Sequence, residues 1–517
     1  MSARTVHTLP ELAERDHDLV VIGGGIHGCL AALEGARRGL RVALVEADDF
    51  GAATSWVSHR ILHGGLRYLQ SLDLARARQS IAERRWFLRT FPDLCEPLRC
   101  ALPLYGDGLR KPLPFRAALA ANAVLSARRN AAVRADRHLP MGTVVPGHRA
   151  AEVHPHAARE GLLGVGVWHD GLVTSPARLT MEILRWASSL DAKVANGARA
   201  VALRTARAGV VGIEVEDTAT GDRHTLRTAA VINAAGPWSA EVAESLNPAS
   251  RTPTRPSLAF NLLLDRPAPD GACGVSAHGP DAHTYFLAPR CGMMMAGTTH
   301  LALDAFRDRP TEAEVRAMVD GLNAAAPGLH LTDTDVLRID AGVLRASPDD
   351  PAEPSDRAAV TTHAHHGGPA GLITLSGVKY TTARAEAARA LAAAVGQRPI
   401  TPAGRTRPAP APWAAGLALA HPAWARDADL SAHADALHAL ITAEGVRTLS
   451  DLVYRRSEWG QDPRTLAGVG ARIADALGWD AARADREVTD LGQALASRGP
   501  MTAGEARSRA DEEPARP

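Results

Sequence analysis

Residues 18–46 constrain the fold more than any other stretch of the chain. A short apolar run from Asp18 to Ile22 has the character of a buried parallel strand. Gly23-x-Gly25-x-x-Gly28 follows at once. An alanine-rich segment from Ile26 to Arg38 then reads as a helix closed by Gly39, and a second apolar run, Arg41 to Val45, ends at Glu46. Strand, glycine turn, helix, strand and acid come in the order of a nucleotide-binding βαβ unit. Gly23 permits the tight turn, Gly25 lets backbone approach a pyrophosphate, and Gly28 lets the helix pack closely on the strand. The helix N-terminus offers unpaired N–H groups and positive potential to the phosphates. Glu46 stands where a carboxylate can accept both ribose hydroxyls, and it disfavours a 2′-phosphate, since like charges would meet. The spacing alone does not separate FAD from NAD. The place of the unit near the start of the chain and the hydroxyl-rich segment after Glu46 favour FAD.

At 517 residues the chain suits two or three domains. Lys+Arg is 58 against Asp+Glu 57, and the arginines are spread among acids, so a nucleic-acid partner is not expected. The five cysteines, Cys29, Cys95, Cys100, Cys273 and Cys291, contain no CxxC pair. That reads as free thiols in a reducing compartment, with no metal knuckle. Residues 1–16 carry no apolar core and are not a signal peptide. No run reaches the ~18 apolar residues of a membrane span. A cytoplasmic protein is expected, with contact at the inner face of a membrane left open.

Further along, helices are expected over Asp73–Thr90, near Phe115–Arg134, over Thr174–Leu190 with Thr174 or Ser175 as cap, over Thr311–Ala325 and over Thr382–Val395. Strands are expected within Val194–Glu216, over Ala230–Ala235, Phe260–Leu264, Tyr285–Ala288, Gly292–Gly297 and Gly371–Ser376. The Pro-, Thr- and Arg-rich residues 397–412 read as a linker, and residues 430–495 as several helices.

Beyond Glu46, Gly51-Ala52-Ala53-Thr54-Ser55 through Ile61-Leu62-His63-Gly64-Gly65-Leu66-Arg67-Tyr68-Leu69 resembles the signature of FAD-dependent glycerol-3-phosphate dehydrogenases. Asn233-Ala234-Ala235-Gly236-Pro237-Trp238, Gly297-Thr298-Thr299, Gly377-Val378-Lys379-Tyr380-Thr381-Thr382 and the pair Arg455-Arg456 are similar to later segments of the same family. The resemblance spans about residues 17–495. It implies an α/β fold: an FAD-binding Rossmann-like domain of the glutathione-reductase/amino-acid-oxidase type, a mixed-sheet substrate domain and a C-terminal helical domain. The expected segments are 17–94, 165–249 and 345–396 for FAD, 95–164 and 250–344 for substrate, and 410–497 for the helical domain, with flexible tails at 1–16 and 498–517. Thr54, Ser55, His63, Gly64, Gly65, Gly236, Lys379 and Thr381 would join Gly23, Gly25, Gly28 and Glu46 around the cofactor.

The resemblance also implies roles at the substrate. Arg67 and Tyr68 match residues that face it; an arginine fork can hold an anion, and a tyrosine can orient a hydroxyl. The plain alternative is a solvent-facing arginine beside a core tyrosine. Lys379 would stabilise reduced flavin or a developing alkoxide, or else be an ordinary surface lysine. It is one of only three lysines, with Lys111 and Lys193. Arg357 would complete an anion clamp with Arg67 unless Asp356 claims it as an ion pair. His63 either donates to the cofactor or caps local backbone.

Three positions depart from the family pattern. Asn261 stands where the family carries a histidine that could act as base, and Asn cannot take a proton. Arg345 is displaced by one position, and His300 replaces an acid after the two threonines. His300 is thus a candidate replacement base. The expected reaction is oxidation of a secondary alcohol, in glycerol 3-phosphate or a related small anionic substrate, by hydride transfer to flavin N5, with quinone or oxygen as electron acceptor. An amine or amino-acid oxidase, and a non-catalytic flavoprotein with a binding or assembly role, remain as alternatives. Oligomeric state is left open.

Overall fold

The computed structural model describes residues 4–497 and 499, apart from 70, 107–109, 208, 251–253, 278–282 and 412–415. Its first sheet has six strands in the order Ala359–Thr362, Leu372–Ser376, Val231–Asn233, Leu19–Ile22, Val42–Val45, Lys193–Ala195. Five run parallel, and Ala359–Thr362 runs antiparallel at one edge. The inner strands are buried along their whole length, as expected of a sheet covered on both faces. Helices Ile26–Ala36, Pro176–Ser189 and Ala383–Val395 pack on one face around Leu30, Leu33, Leu184 and Ala387. The other face is covered by a three-stranded antiparallel sheet, Ala198–Ala206, Gly209–Asp217 and Arg223–Arg227, through Ile213, Val215 and Leu226.

The second sheet is larger and mixed. Its order is Val336–Arg345, Pro256–Pro267, Met293–Ala302, Thr284–Arg290, Ala272–Ser276, Cys95–Leu104, Gly164–Val173, Ile61–Leu62, with Thr143–Pro146 also paired to Gly164–Val173. Ala272–Ser276 and Cys95–Leu104 are parallel and the other pairs antiparallel. Helix Glu312–Ala325 covers one side; Thr311 is its N-cap, and Val315, Met318, Val319 and Leu322 are buried. Helices Ala434–Glu444, Leu466–Ala476 and Ala481–Ala496 build a third core around Leu437, Leu440, Tyr454 and Trp459.

Four expectations change. Residues 4–16 are packed rather than a flexible tail: Leu9–Ala13 is a helix whose Leu9 and Leu12 are buried, and the Thr5 N–H donates to Ala443 carbonyl at 2.9 Å. The helix expected near Phe115–Arg134 runs Pro112–Leu125. Gly164–Val173 and Ile61–Leu62 belong to the second sheet, so the boundary drawn at 165 and the single segment 17–94 give way to strands that cross between the two sheets. The presumed linker is anchored where it begins, since the Thr401 N–H donates to Arg37 carbonyl at 2.8 Å. The expected tail at 498–517 lies outside the described residues, save 499.

Candidate functional site

The glycine turn has the geometry its sequence implies. Gly23 sits at φ +100°, a conformation that side chains other than glycine rarely adopt. A Cβ on Gly28 would lie 1.9 Å from the Gly23 carbonyl oxygen, so only glycine lets this helix meet this turn. Gly25 is the N-cap of helix Ile26–Ala36 and has no side chain with which to cap it. The Ile26 N–H donates instead to Ser55 Oγ at 3.0 Å, which puts Ser55 at the helix N-terminus. Glu46 accepts from the Gly24 N–H at 2.5 Å and from the Asp48 N–H at 2.8 Å. Burial raises its pKa to about 7, with those two N–H groups opposing the rise. Gly236 follows the strand Val231–Asn233 at φ +57° and opens the turn Gly236–Trp238.

A long polar cofactor fits the stretch that follows. Ser58 Oγ, both ring nitrogens of His59, and Nε and Nη2 of Arg60 are shielded from water and have no hydrogen-bond partner. Buried polar atoms are nearly always paired, so such a row, a few residues past Ser55 in the chain, marks a place for donors and acceptors from elsewhere. Burial and the neighbouring His63 push His59 down to about 4, which keeps its ring neutral. His59 was not singled out from the sequence; its place inside the signature segment was the available signal.

Beyond this row the chain closes on itself from distant parts. The His63 N–H donates to Thr381 Oγ1 at 3.0 Å, and the Gly64 N–H donates to Asp170 Oδ1 at 2.7 Å. Asp170 also pairs with Arg84 at 2.6 Å and accepts from Trp168 Nε1 at 3.2 Å. Burial would raise its pKa, but His63, Arg84 and the Gly64 N–H together hold it down to about 2. Asp170 was likewise missed; a charge inside the apolar run Gly164–Val173 was its only trace in the sequence. The His63 ring is 61% exposed and stands 3.4 Å from Asp170. Gly65 turns the chain into the short helix Leu66–Leu69 at φ +79°.

Lys379, Tyr68 and Arg67 come together. Lys379 Nζ donates to Tyr68 Oη at 2.7 Å and pairs with Asp356 at 2.7 Å, and Arg67 pairs with the same Asp356 oxygen at 2.9 Å. Arg76 reaches the other oxygen at 3.1 Å. The Tyr68 ring lies against all three cations, at 5.0, 5.4 and 5.5 Å from Lys379, Arg67 and Arg76. Burial favours a neutral Asp356, and the Lys379 ammonium with the two guanidinium groups overrides it, holding the carboxyl down to about 2.

The clamp drawn from Arg67 and Arg357 is not the observed arrangement. Arg357 is 74% exposed, and its recorded partner is Asp73 at 3.6 Å. Asp356 instead pairs with Arg67, Arg76 and Lys379. Asn261 is locked in the second sheet: its Oδ1 accepts from Thr298 Oγ1 at 2.7 Å and its Nδ2 donates to Val57 carbonyl at 3.4 Å. Thr54 Oγ1 donates to Val343 carbonyl at 3.0 Å and so joins the dinucleotide segment to that sheet. His300 lies where the charge of Arg67 is felt. Burial first, then His283 and Arg67, lower it to about 4, and its Nδ1 has no partner.

The model of one family, described as FAD dependent oxidoreductase, matches residues 18–394. A glycerol-3-phosphate dehydrogenase of Synechocystis sp. is 30% identical over 399 residues, covering 73% of this chain and 70% of that protein. The chain belongs to the FAD-dependent oxidoreductase family, in its glycerol-3-phosphate dehydrogenase branch. Glycerol-3-phosphate dehydrogenase 2 of Mycobacterium bovis is 33% identical over 394 residues, and the match spans 64% of that relative's length. The fold of this oxidoreductase is that of the glycerol-3-phosphate dehydrogenase from Bacillus halodurans complexed with FAD: TM-score 0.69 at 22% identity, covering 96% of this chain and 97% of that one. L-proline dehydrogenase from P. horikoshii shares the fold over 75% of this chain, at TM-score 0.56 and 15% identity. FAD is therefore the cofactor of this oxidoreductase, and the glycine turn has the form such a dinucleotide needs. Among the described residues, no helix is long and apolar enough to cross a membrane.

Proposed function

We propose that this oxidoreductase oxidises the secondary alcohol of a small anionic hydroxylated compound of the glycerol 3-phosphate type. The observation that carries the reading is the meeting of Lys379, Tyr68 and Arg67 beside the segment that leads from the flavin row. Three cations around one tyrosine make a site for an anion, with a phenol hydroxyl at hand to orient an alcohol. The names of the relatives, glycerol-3-phosphate dehydrogenases, agree with that chemistry. Arg67 holds the anionic group, Tyr68 and Lys379 position the hydroxyl, and the Lys379 ammonium stabilises the alkoxide character that develops there. His300, held neutral by burial and by nearby positive charge, takes the hydroxyl proton on its free Nδ1. FAD supplies the two-electron acceptor for the C–H bond.

Anaerobic bleaching of the bound flavin tests the reading, with sn-glycerol 3-phosphate, sugar phosphates, phosphonates, hydroxy acids and amino acids as the panel. An anionic alcohol is expected to bleach it, and Lys379→Met to slow that reduction by about 100-fold or more. Bleaching by amino acids alone, or an unchanged rate in the Lys379→Met protein, would overturn the reading. Reoxidising the reduced protein with a soluble quinone and with oxygen then distinguishes the two acceptors by rate.

A further inference from the structure

Asp356 is the odd group in a site built for an anion. Its Oδ1 lies 2.7 Å from Lys379 Nζ and 2.9 Å from Arg67 Nη2, and its Oδ2 lies 3.1 Å from Arg76 Nη1. That is where an incoming phosphate or carboxylate would seek its partners. We propose that Asp356 is a specificity-determining residue: its carboxylate fills the anion position between Lys379 and Arg67, and the substrate's anionic group binds by displacing it.

The local structure suits a group that leaves and returns. The backbone beside it is tied down: the Ser355 N–H donates to Arg345 carbonyl at 2.7 Å, and Ser355 Oγ donates to Arg357 carbonyl at 3.0 Å. The Asp356 side chain itself is 50% exposed, so rotation about its own bonds carries the carboxylate into water without moving the loop. While in place it keeps Lys379, Arg67 and Arg76 from repelling one another and holds them where the substrate needs them. A tethered carboxylate competes at an effective concentration in the millimolar range or above. Apparent affinity for a free anion falls by the fraction of time the position is open. The site therefore rejects weakly held anions and admits only a ligand that recovers contacts to both Lys379 and Arg67.

This inference rests on the anion-site reading of the preceding section, and its test is separable from it. Inorganic phosphate is titrated at constant ionic strength into the FAD-loaded protein, and the perturbation of the flavin absorbance is followed. Asp356→Asn is expected to tighten phosphate by about tenfold, and to lower the KM for sn-glycerol 3-phosphate similarly. Asp73→Asn removes an equal charge beside Arg76 but outside the Lys379–Arg67 pair, so it should tighten phosphate far less. Asp356→Ala provides a second variant should the first lose FAD. Phosphate binding that is unchanged or weaker in the Asp356 variants overturns the proposal, as does equal tightening in Asp73→Asn. If phosphate tightens as expected while no anionic alcohol bleaches the flavin, the substrate class of the preceding section fails and the displacement stands.

Discussion

At the residue scale the chemistry turns on a few groups whose charge is set by their surroundings. Glu46 is one. Burial lifts its pKa from 4.5 to about 7, so the folded chain keeps a proton that the unfolded chain has already lost. The sign follows: on account of this group, stability without FAD is full below pH 4.5 and falls as the pH climbs to about 7. The ribose hydroxyls are donors and prefer the ionised carboxylate. FAD affinity is therefore expected to rise through pH 7 in the native protein and to be flat in Glu46→Gln. Titrations of stripped protein with FAD from pH 6 to 8 read this directly; a parallel pH dependence in the variant would remove Glu46 from the ribose.

At the scale of elements, the turn and helix of residues 19–36 depend on a contact that admits no methyl group. Gly28→Ala places its Cβ against the Gly23 carbonyl, which is backbone and cannot rotate away. The cost is expected at about 1–3 kcal/mol, together with weaker FAD retention, measured by thermal unfolding and by flavin content after gel filtration. Native melting with full flavin would show that the helix can slide. These elements were readable because the glycine spacing, the apolar strands and the acid are local in sequence, and so was a cap at Thr174 or Ser175, which the structure places at Ser175. Pairing in the second sheet was less readable. Ile61–Leu62 pairs with Gly164–Val173 across a hundred residues, and no turn chemistry records that register.

At the scale of the whole molecule, buried charge ties the helical unit to the two sheets. Arg456 pairs with Asp49 at 2.7 and 2.8 Å and donates to Glu444 carbonyl; Glu444 in turn pairs with Arg178 at 2.7 Å. Glu458 accepts from Ser175 Oγ at 2.7 Å and pairs with Arg60 at 2.7 Å. Arg338, in the second sheet, donates to Gln461 carbonyl at 2.9 Å and pairs with Asp340. Removing one partner of such a pair leaves an uncompensated buried charge. Arg456→Met is expected to cost about 3–5 kcal/mol in urea unfolding. Because Asp49 lies three residues past Glu46, it should also loosen FAD. A variant with native stability and undiminished FAD affinity would mean the network is dispensable.

The sequence by itself determined the dinucleotide turn and most of the helices and strands, because each lies in a short segment whose spacing carries its own physics, whereas Lys379, Arg67 and Tyr68 were singled out only by the family resemblance of their segments. Tertiary structure alone decided what those residues meet. Asp356 rather than Arg357 faces Arg67, His59 lies buried with both ring nitrogens unpaired, and Asp170 holds Gly64. The reason is physical: a charge's partner is chosen by distance and burial in the folded chain, and residues 311 positions apart, such as Lys379 and Tyr68, become neighbours only after two sheets have packed.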